Sequence, residues 1–305
     1  MVEIIKKIVT ESEDGMRLDS AVCSLNENIS RTLAQGLIKD GIILLDEKTA
    51  KASSKVKEGQ VISMPNKPKE KLDEKLVAED IPIDILYEDD DIIVINKPKN
   101  MVVHPAAGNW SGTLVNAMLG KYELSNENGE FRPGIVHRLD KDTTGVMVVA
   151  KNNLAHAKLA KQIQEHNFKK VYVAIVKGVI KENEAVIELP IGRHPIDRKK
   201  MAVVKDGREA YTKFKVLERF KGYTYIEVEL KTGRTHQIRV HMAHIGYPIV
   251  GDDTYSNGKN PFGVTSQMLH SKILGITHPT TGEYMEFVAP IPEEFENVLK
   301  ILREE

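Results

Sequence analysis

One cysteine, one tryptophan and 6 % aromatic residues are all that 305 residues hold of these types, and each shortage removes a class of protein. A single cysteine, Cys23, can build neither an internal disulfide framework nor a cysteine-only metal site. No apolar run approaches the roughly 18 residues that would cross a bilayer. The opening segment MVEIIKKIVTESEDG lacks the apolar core and cleavage site of a signal peptide, so the expected compartment is the cytoplasm. Neither GxxxxGK[ST] nor GxGxxG occurs, and with them go the usual signals for nucleotide hydrolysis and dinucleotide binding. Charge of one sign is scarce too. With 43 Lys+Arg against 44 Asp+Glu the chain nets −1, without the basic excess that general nucleic-acid binders often carry.

What is present is the composition of a soluble globular protein, 41 % hydrophobic and 29 % charged, and a length that suggests about two domains. Residues 1–64 read as a small α+β unit. A helix is expected from Arg17 to Leu25, with Leu18, Val22 and Leu25 on one face. A second is expected from an N-cap at Ser30 through Leu33, Leu37 and Ile38 to Lys39, stopped by Gly41. IILL (42–45) and the end of KVKEGQVISM (55–64) read as short strands. The stretch PNKPKEKLDEKLVAED (65–80), with two prolines and nine charged residues, reads as a linker. Beyond it, 81–305 is strand-rich. DIIVINKP (91–98) and GVMVVAKN (145–152) are continuous apolar runs suited to buried strands, and YTYIEVELKTG (223–233) alternates. One helix is expected near Asn152 or Asn153, burying Leu154, Leu159, Ala160 and Ile163. Another is expected from Pro292, burying Phe295, Val298, Leu299 and Leu302. Strands and helices do not alternate regularly, which favours an α+β fold with a mixed sheet and flanking helices over a doubly wound one.

Two stretches carry chemistry. In GIVHRLDKDTTGVMVVAKN (134–152), Arg138 and Asp140 stand two apart, on one side of an extended segment, and Asp140 precedes a polar turn and an apolar strand. That junction suits a nucleophilic carboxylate; on composition alone it equally suits a turn aspartate. LKTGRTHQIRVHMAHIGYPIVGD (230–252) holds Lys231, Arg234 and Arg239 and no acidic residue before Asp252. Its THQIRVH core alternates as a strand would, with Gln237, Arg239 and His241 on one face. A buried arginine requires an anionic partner, and Asp140 would serve; a phosphate-contacting strand is the alternative. His236, His241 and His244 lie close together, but the spacing is not H-E-x-x-H and no cysteine or carboxylate completes a ligand set, so no metal is expected.

These motifs together resemble the RluA/RluD family of RNA pseudouridine synthases, which isomerise uridine to pseudouridine in structured RNA. GMRLDSAV, ISRTLAQGLIKDG and KVKEGQVI resemble an S4 RNA-binding domain. DDIIVINKPKNMVVHP (90–105), HRLDKDTTG, KKVYVAIVKG (169–178) and TGRTHQIRVH resemble the catalytic-domain motifs in their order. Thr144 stands where the family more often has serine, and ILLDEK replaces the common VxVNGK of the S4 module. The resemblance implies a catalytic domain over 81–305 with a mixed, largely antiparallel sheet, and an S4-like domain over 1–64. It implies Asp140 as nucleophile toward C6 of uracil or C1′ of ribose, and Arg239 as its partner. Tyr172, which by itself would read as core, becomes the stacking platform and a participant in the final proton removal. Ile238 and Leu269 would line the pocket, Arg138 would fill the place of the flipped base, and His137 and Arg234 would touch substrate. Arg17, Arg31 and Lys39 of the S4-like module and Arg198, Lys199 and Lys200 of the catalytic domain become candidate RNA contacts. Structured RNA, foremost large-subunit ribosomal RNA, is the implied partner, with no cofactor and no membrane, and a monomer is expected. A transfer-RNA substrate, or a catalytically silent S4-type assembly factor, are the competing readings.

Overall fold

The computed structural model describes residues 3–29, 31–66, 76–105, 110–127, 132–198, 200–256 and 262–304, and the chain divides into two units, Met1–Lys75 and Leu76–Glu305. In the first, strand β1 (Ile4–Ile8) precedes helices α1 (Leu18–Leu25) and α2 (Arg31–Lys39) and the strands β2 (Leu44–Leu45) and β3 (Val61–Pro65). β3 is central and antiparallel to both neighbours. The strand β1 escapes a reading of the sequence because Ile4 and Ile8 are exposed and only Ile5 packs inward, so the stretch shows no period. Leu18, Val22 and Ile38, as expected, close a small core over Ile62 and Met64 together with Ala21 and Ala34, while Leu25, Leu33 and Leu37 pack against it only partly buried. Ser30, the expected cap of α2, lies outside the described residues, as does Lys199.

The Asp19 carboxylate is fully buried in this unit. It accepts two 3.0 Å hydrogen bonds from Arg17, one of 2.7 Å from Gln35 Nε2 and a longer 3.4 Å bond from Arg31. Two of the three cations expected to meet RNA are thus half committed to an internal carboxylate, while their side chains stay 45 % and 58 % exposed. The Arg17 hydrogen bonds, aided by Gln35 and opposed by burial, hold Asp19 well below the usual carboxylate range. Lys39 is exposed in the last turn of α2.

In the second unit a nine-stranded sheet runs β4 (Asp84–Glu88), β5 (Ile92–Lys97), β6 (Thr144–Ala150), β13 (Leu269–Thr277), β7 (Lys169–Lys177), β12 (Tyr223–Leu230), β11 (Tyr211–Phe220), β8 (Glu184–Glu188). Among the described residues its ladders are antiparallel except β6–β13, which is parallel and only two residues long, His270 beside Thr144 and Ser271 beside Gly145. Past that point the strands part, and β14 (Tyr284–Val288) takes the edge of β13 that β6 leaves. The continuous apolar runs of β5 and β6 follow from cover on both faces. Ile93, Ile95, Met147 and Val149 meet α3 (Leu114–Leu119) and α6 (Glu293–Glu304) on one side, while Ile92, Val94, Val146 and Val148 meet α4 (Asn153–Gln164) on the other. Phe295, Val298, Leu299 and Leu302 of α6 are buried as expected. In α4 the cap at Asn152 sets the seam at Ala155, Leu159 and Ile163, so Leu154 and Ala160, expected inside, are exposed. β9 (Ile191–Arg193) and β10 (Met201–Val203) form a separate hairpin. No helix of the described residues is long and apolar enough to cross a membrane.

Of the expected linker, residues 67–75 lie outside the described residues, and 76–80 are already part of the second unit. Asn116 in the capping box of α3 donates to Val77 O and accepts at its carbonyl from Glu79 N, and the Glu79 carboxylate receives Gly112 N–H at 3.0 Å. The charge-rich composition conceals this docking. THQIRVH also differs from expectation. It is not a strand but the start of helix α5 (Gln237–His244). Its polar residues are buried and hydrogen-bonded, so polar–apolar alternation does not report solvent. The recurrence of Ile238, Met242 and Ile245 at four and three residues is the helical signal.

Two outcomes follow. Gly145 has φ +113°, and a Cβ there would lie 2.1 Å from Ser271 O, at the close β6–β13 approach. Gly145→Ala is expected to lower stability in urea denaturation by about 3 kcal/mol. Because the Asp19 pKa is depressed in the folded state, its contribution is complete above the ordinary carboxylate pKa and fades as pH falls below it. Hydrogen-exchange protection of α1 should therefore drop between pH 5 and pH 3 more in the wild type than in Asp19→Asn.

Candidate active site

The short β6–β13 contact brings the loop ahead of β6, the first residue of β13 and the middle of β7 to one place. There Asp140, Leu269 and Tyr172 line a cleft of about 530 Å³, open to solvent, together with Arg138, Arg234, Ile238 and Arg239. Every residue that the family resemblance assigns to catalysis, and all but one that it assigns to substrate, lines this cleft. His137 is the exception. Its Nε2 accepts the Val148 N–H at 3.0 Å and its ring stacks edgewise on Phe168, so it braces the loop from behind. Burial, with help from the Lys170 charge, brings it down to about 3, and it stays neutral. Arg198 and Lys200 sit on the turn of the β9–β10 hairpin and do not line the cleft.

At the centre is a buried guanidinium. Arg239 grips Asp252 with two parallel bonds, Nε to Oδ2 at 2.7 Å and Nη2 to Oδ1 at 3.0 Å, and turns Nη1 to Asp140 Oδ2 at 3.2 Å. Asp252 is itself fixed by the N–H groups of Thr254 and Tyr255. Burial would lower the Arg239 pKa, but the two carboxylates outweigh it and raise it above the ordinary arginine value. Asp140 keeps 16 % of its side chain exposed, and its other oxygen, Oδ1, lies 4.0 Å from His236 Nε2. Tyr255 Oη accepts Met201 N–H and meets His236 Nδ1 at 2.7 Å, which directs the ring toward Asp140. Burial lowers the His236 pKa, against the pull of Asp140. Tyr172 is pushed up to about 12 by burial, with Asp140 adding to the rise and Ser271 opposing it.

Two props hold the cleft. Lys97, wholly buried at the end of β5, donates to the carbonyls of Pro98, Met101 and Lys141 at 2.8, 3.0 and 2.9 Å, tying the residue after Asp140 to the sheet. Burial brings its pKa down to about 7, against the charges of Asp142 and Asp140. Gln237 uses both ends of its amide. Its oxygen accepts from Arg234 N and Thr232 Oγ1, and its nitrogen donates to Tyr211 O and Thr212 Oγ1, which seats the start of α5 on β11. Asp252, Lys97, Gln237 and His236 were not among the site residues expected. Asp252 had a signal, as the first acid after a long carboxylate-free stretch; so did Lys97, a charge inside an apolar strand. Among the described residues Asp89, Asp91 and His278 cluster, but His278 Nε2 meets Asp89 and His278 Nδ1 accepts turn amides, so the group is satisfied internally.

The RNA pseudouridylate synthase family model matches residues 91–244, and the S4 domain model matches residues 16–62. The chain is 44 % identical to an uncharacterized RNA pseudouridine synthase of Bacillus subtilis, over 96 % of both chains. It is also 44 % identical to ribosomal large subunit pseudouridine synthase D of Pseudomonas aeruginosa, over 95 % of this chain and 93 % of the relative. Human RNA pseudouridylate synthase domain containing 4 superposes with a TM-score of 0.58 at 26 % identity, covering 72 % of this chain and 93 % of that one. Human RNA pseudouridylate synthase domain containing 1 gives 0.58 at 23 %, over 75 % and 97 %, and shares the fold.

The two carboxylates should separate in stability. Asp252→Asn, which breaks a buried bidentate pair, is expected to cost about 3 kcal/mol in urea denaturation. Asp140→Asn, part-exposed and held by one guanidinium nitrogen, should cost less than about 1 kcal/mol. Equal losses would contradict this division.

Proposed function

The chain belongs to the RNA pseudouridylate synthase family and is an RNA pseudouridine synthase, and from that premise we propose that it acts on large-subunit ribosomal RNA with Asp140 as nucleophile. The observation that carries the nucleophile is the Asp140 carboxylate itself, 3.2 Å from a buried guanidinium and facing a cleft walled by tyrosine and aliphatic side chains. The name of the Pseudomonas aeruginosa relative supports the choice of RNA, and the matched S4 domain supports contact with it.

Making pseudouridine breaks the N1–C1′ bond and forms a C5–C1′ bond. One proton leaves C5 and one is gained at N1, so the formula is unchanged and no donor is required. Attack at C1′ of the ribose and attack at C6 of the base both call for an oriented carboxylate. Arg239 orients Asp140, and Asp252 keeps Arg239 in place. Ile238 and Leu269 shield the detached uracil from water while it turns. Tyr172, on the wall of the cleft, is assigned the stacking platform for the base and a part in the final proton removal. A uridine within RNA structure must leave its stack to reach Asp140, at a cost of a few kcal/mol. Stacking on Tyr172 returns about 1–3 kcal/mol. Arg138, exposed at the mouth of the cleft, is positioned to occupy the emptied place in the RNA.

Asp140→Asn is expected to lower tritium release from RNA labelled at uridine C5 by more than about 10³-fold while RNA affinity stays near that of the wild type. Release at the wild-type rate would overturn the nucleophile. Deleting the gene and mapping pseudouridines tests the substrate. Loss of sites from large-subunit ribosomal RNA is expected, and loss from transfer RNA alone would overturn the choice.

A further inference from the structure

Beside the Asp140 cleft lies a second, open recess of about 1100 Å³ that shares Arg138, Tyr172 and Arg234 with it. Its remaining cations are Lys170 and Lys231, and no carboxylate is among its described lining residues. Lys170 stands two residues before Tyr172 in β7, so both side chains leave the same face of the strand. It is 8 % exposed, and its Nζ makes one long hydrogen bond, 3.4 Å to Lys231 O.

That is poor provision for a buried ammonium with three donors. The other buried cations of this unit are supplied in full: Lys97 has three carbonyl acceptors and Arg239 has two carboxylates. Burial first and the Arg234 charge second draw the Lys170 pKa down to about 8. The neighbouring histidines do not relieve it. His137 is neutral, and His166 Nδ1 faces the Lys231 carbonyl. Lys231 itself is turned onto the ring of Tyr211, 4.4 Å away. Arg138, Lys170 and Arg234 therefore form a concave cationic surface around a donor-rich, acceptor-poor space. The chemistry that completes such a space is an oxyanion with several acceptor oxygens.

We propose that this recess seats the phosphodiester next to the reacting nucleotide, with Lys170 as its buried ligand and Arg138 and Arg234 at its rim. The assignment rests on the reading that a uridine enters the Asp140 cleft. With its base against Tyr172, the backbone of that nucleotide runs past the shared wall into the recess. A stacked nucleotide keeps its phosphate on the outside of the helix, beyond reach of a lysine this deep. Lys170 thus recognises the extruded backbone, not the duplex.

The test uses the full-length enzyme, with Lys170→Met and Lys170→Arg. Tritium release is measured from unmodified large-subunit ribosomal RNA and from transfer RNA transcripts, each labelled at uridine C5, over a series of salt concentrations. Lys170→Met is expected to lose about tenfold or more in kcat/KM, mostly through KM, and to flatten the salt dependence by about one phosphate contact. Lys170→Arg restores most of the loss. Since removing an under-partnered buried charge relieves the fold, Lys170→Met should melt at or above the wild-type temperature, whereas a structural lysine would lower it. A lower melting temperature with unchanged KM and salt slope overturns the proposal. Failure of the ribosomal RNA reading shows separately, as the wild type's own preference for transfer RNA. The Lys170→Met comparison is then made on the RNA that is turned over.

Discussion

One guanidinium, buried and divided between two carboxylates, organises the candidate active site. Arg239 carries a charge that the interior would not accept alone, and Asp252 answers it with a short bidentate pair fixed by its own turn. Because that demand is already met, the third contact, to Asp140, can be single, longer and part-exposed. A carboxylate that had to neutralise Arg239 alone would be locked on both oxygens. Asp140 is instead oriented at one oxygen and open at the other, an arrangement suited to the nucleophile proposed for it.

The sheet supplies the room for this arrangement. Antiparallel ladders join β4–β5–β6 and β7–β12–β11, with register shifts at Ile85/Tyr87 and Val216/Glu218, and between these blocks β6 touches β13 over two residues before the strands part. The cleft opens at that seam, where backbone groups give way to side chains from three segments distant in sequence. Helices cover both faces of β5 and β6 beside the seam, and Gly145 permits the close approach of β6 to β13.

How much of this the sequence disclosed depended on whether period and burial agreed. The strands β5 and β6 were legible as continuous apolar runs, buried on both faces, and β12 and the helix α6 were legible through their period. Helix α5 was not. Gln237, Arg239 and His241 are polar yet buried, so their alternation imitated a strand. In α4 Leu159 and Ile163 were placed on the buried face while Leu154 and Ala160 were not buried, and β1 hid because a strand with one packed side chain has no pattern. Within the site, Asp140, Tyr172 and Arg239 stood out through their motifs; spacing alone left Asp140 between turn and nucleophile. Asp252 and Lys97 act through long-range pairing, over 13 and 44 residues, that local patterns do not encode.

The three carbonyls around Lys97 have a consequence for specificity. They clamp the segment carrying Asp140 to the end of β5 in one conformation, with every donor of the ammonium engaged. A floor tied this way favours leaving the work of adaptation to the RNA. On the proposed chemistry, uridines would then be ranked by mechanics more than by letter code. A nucleotide whose surroundings surrender it cheaply is modified, and an identical one in a stiff helix is passed over.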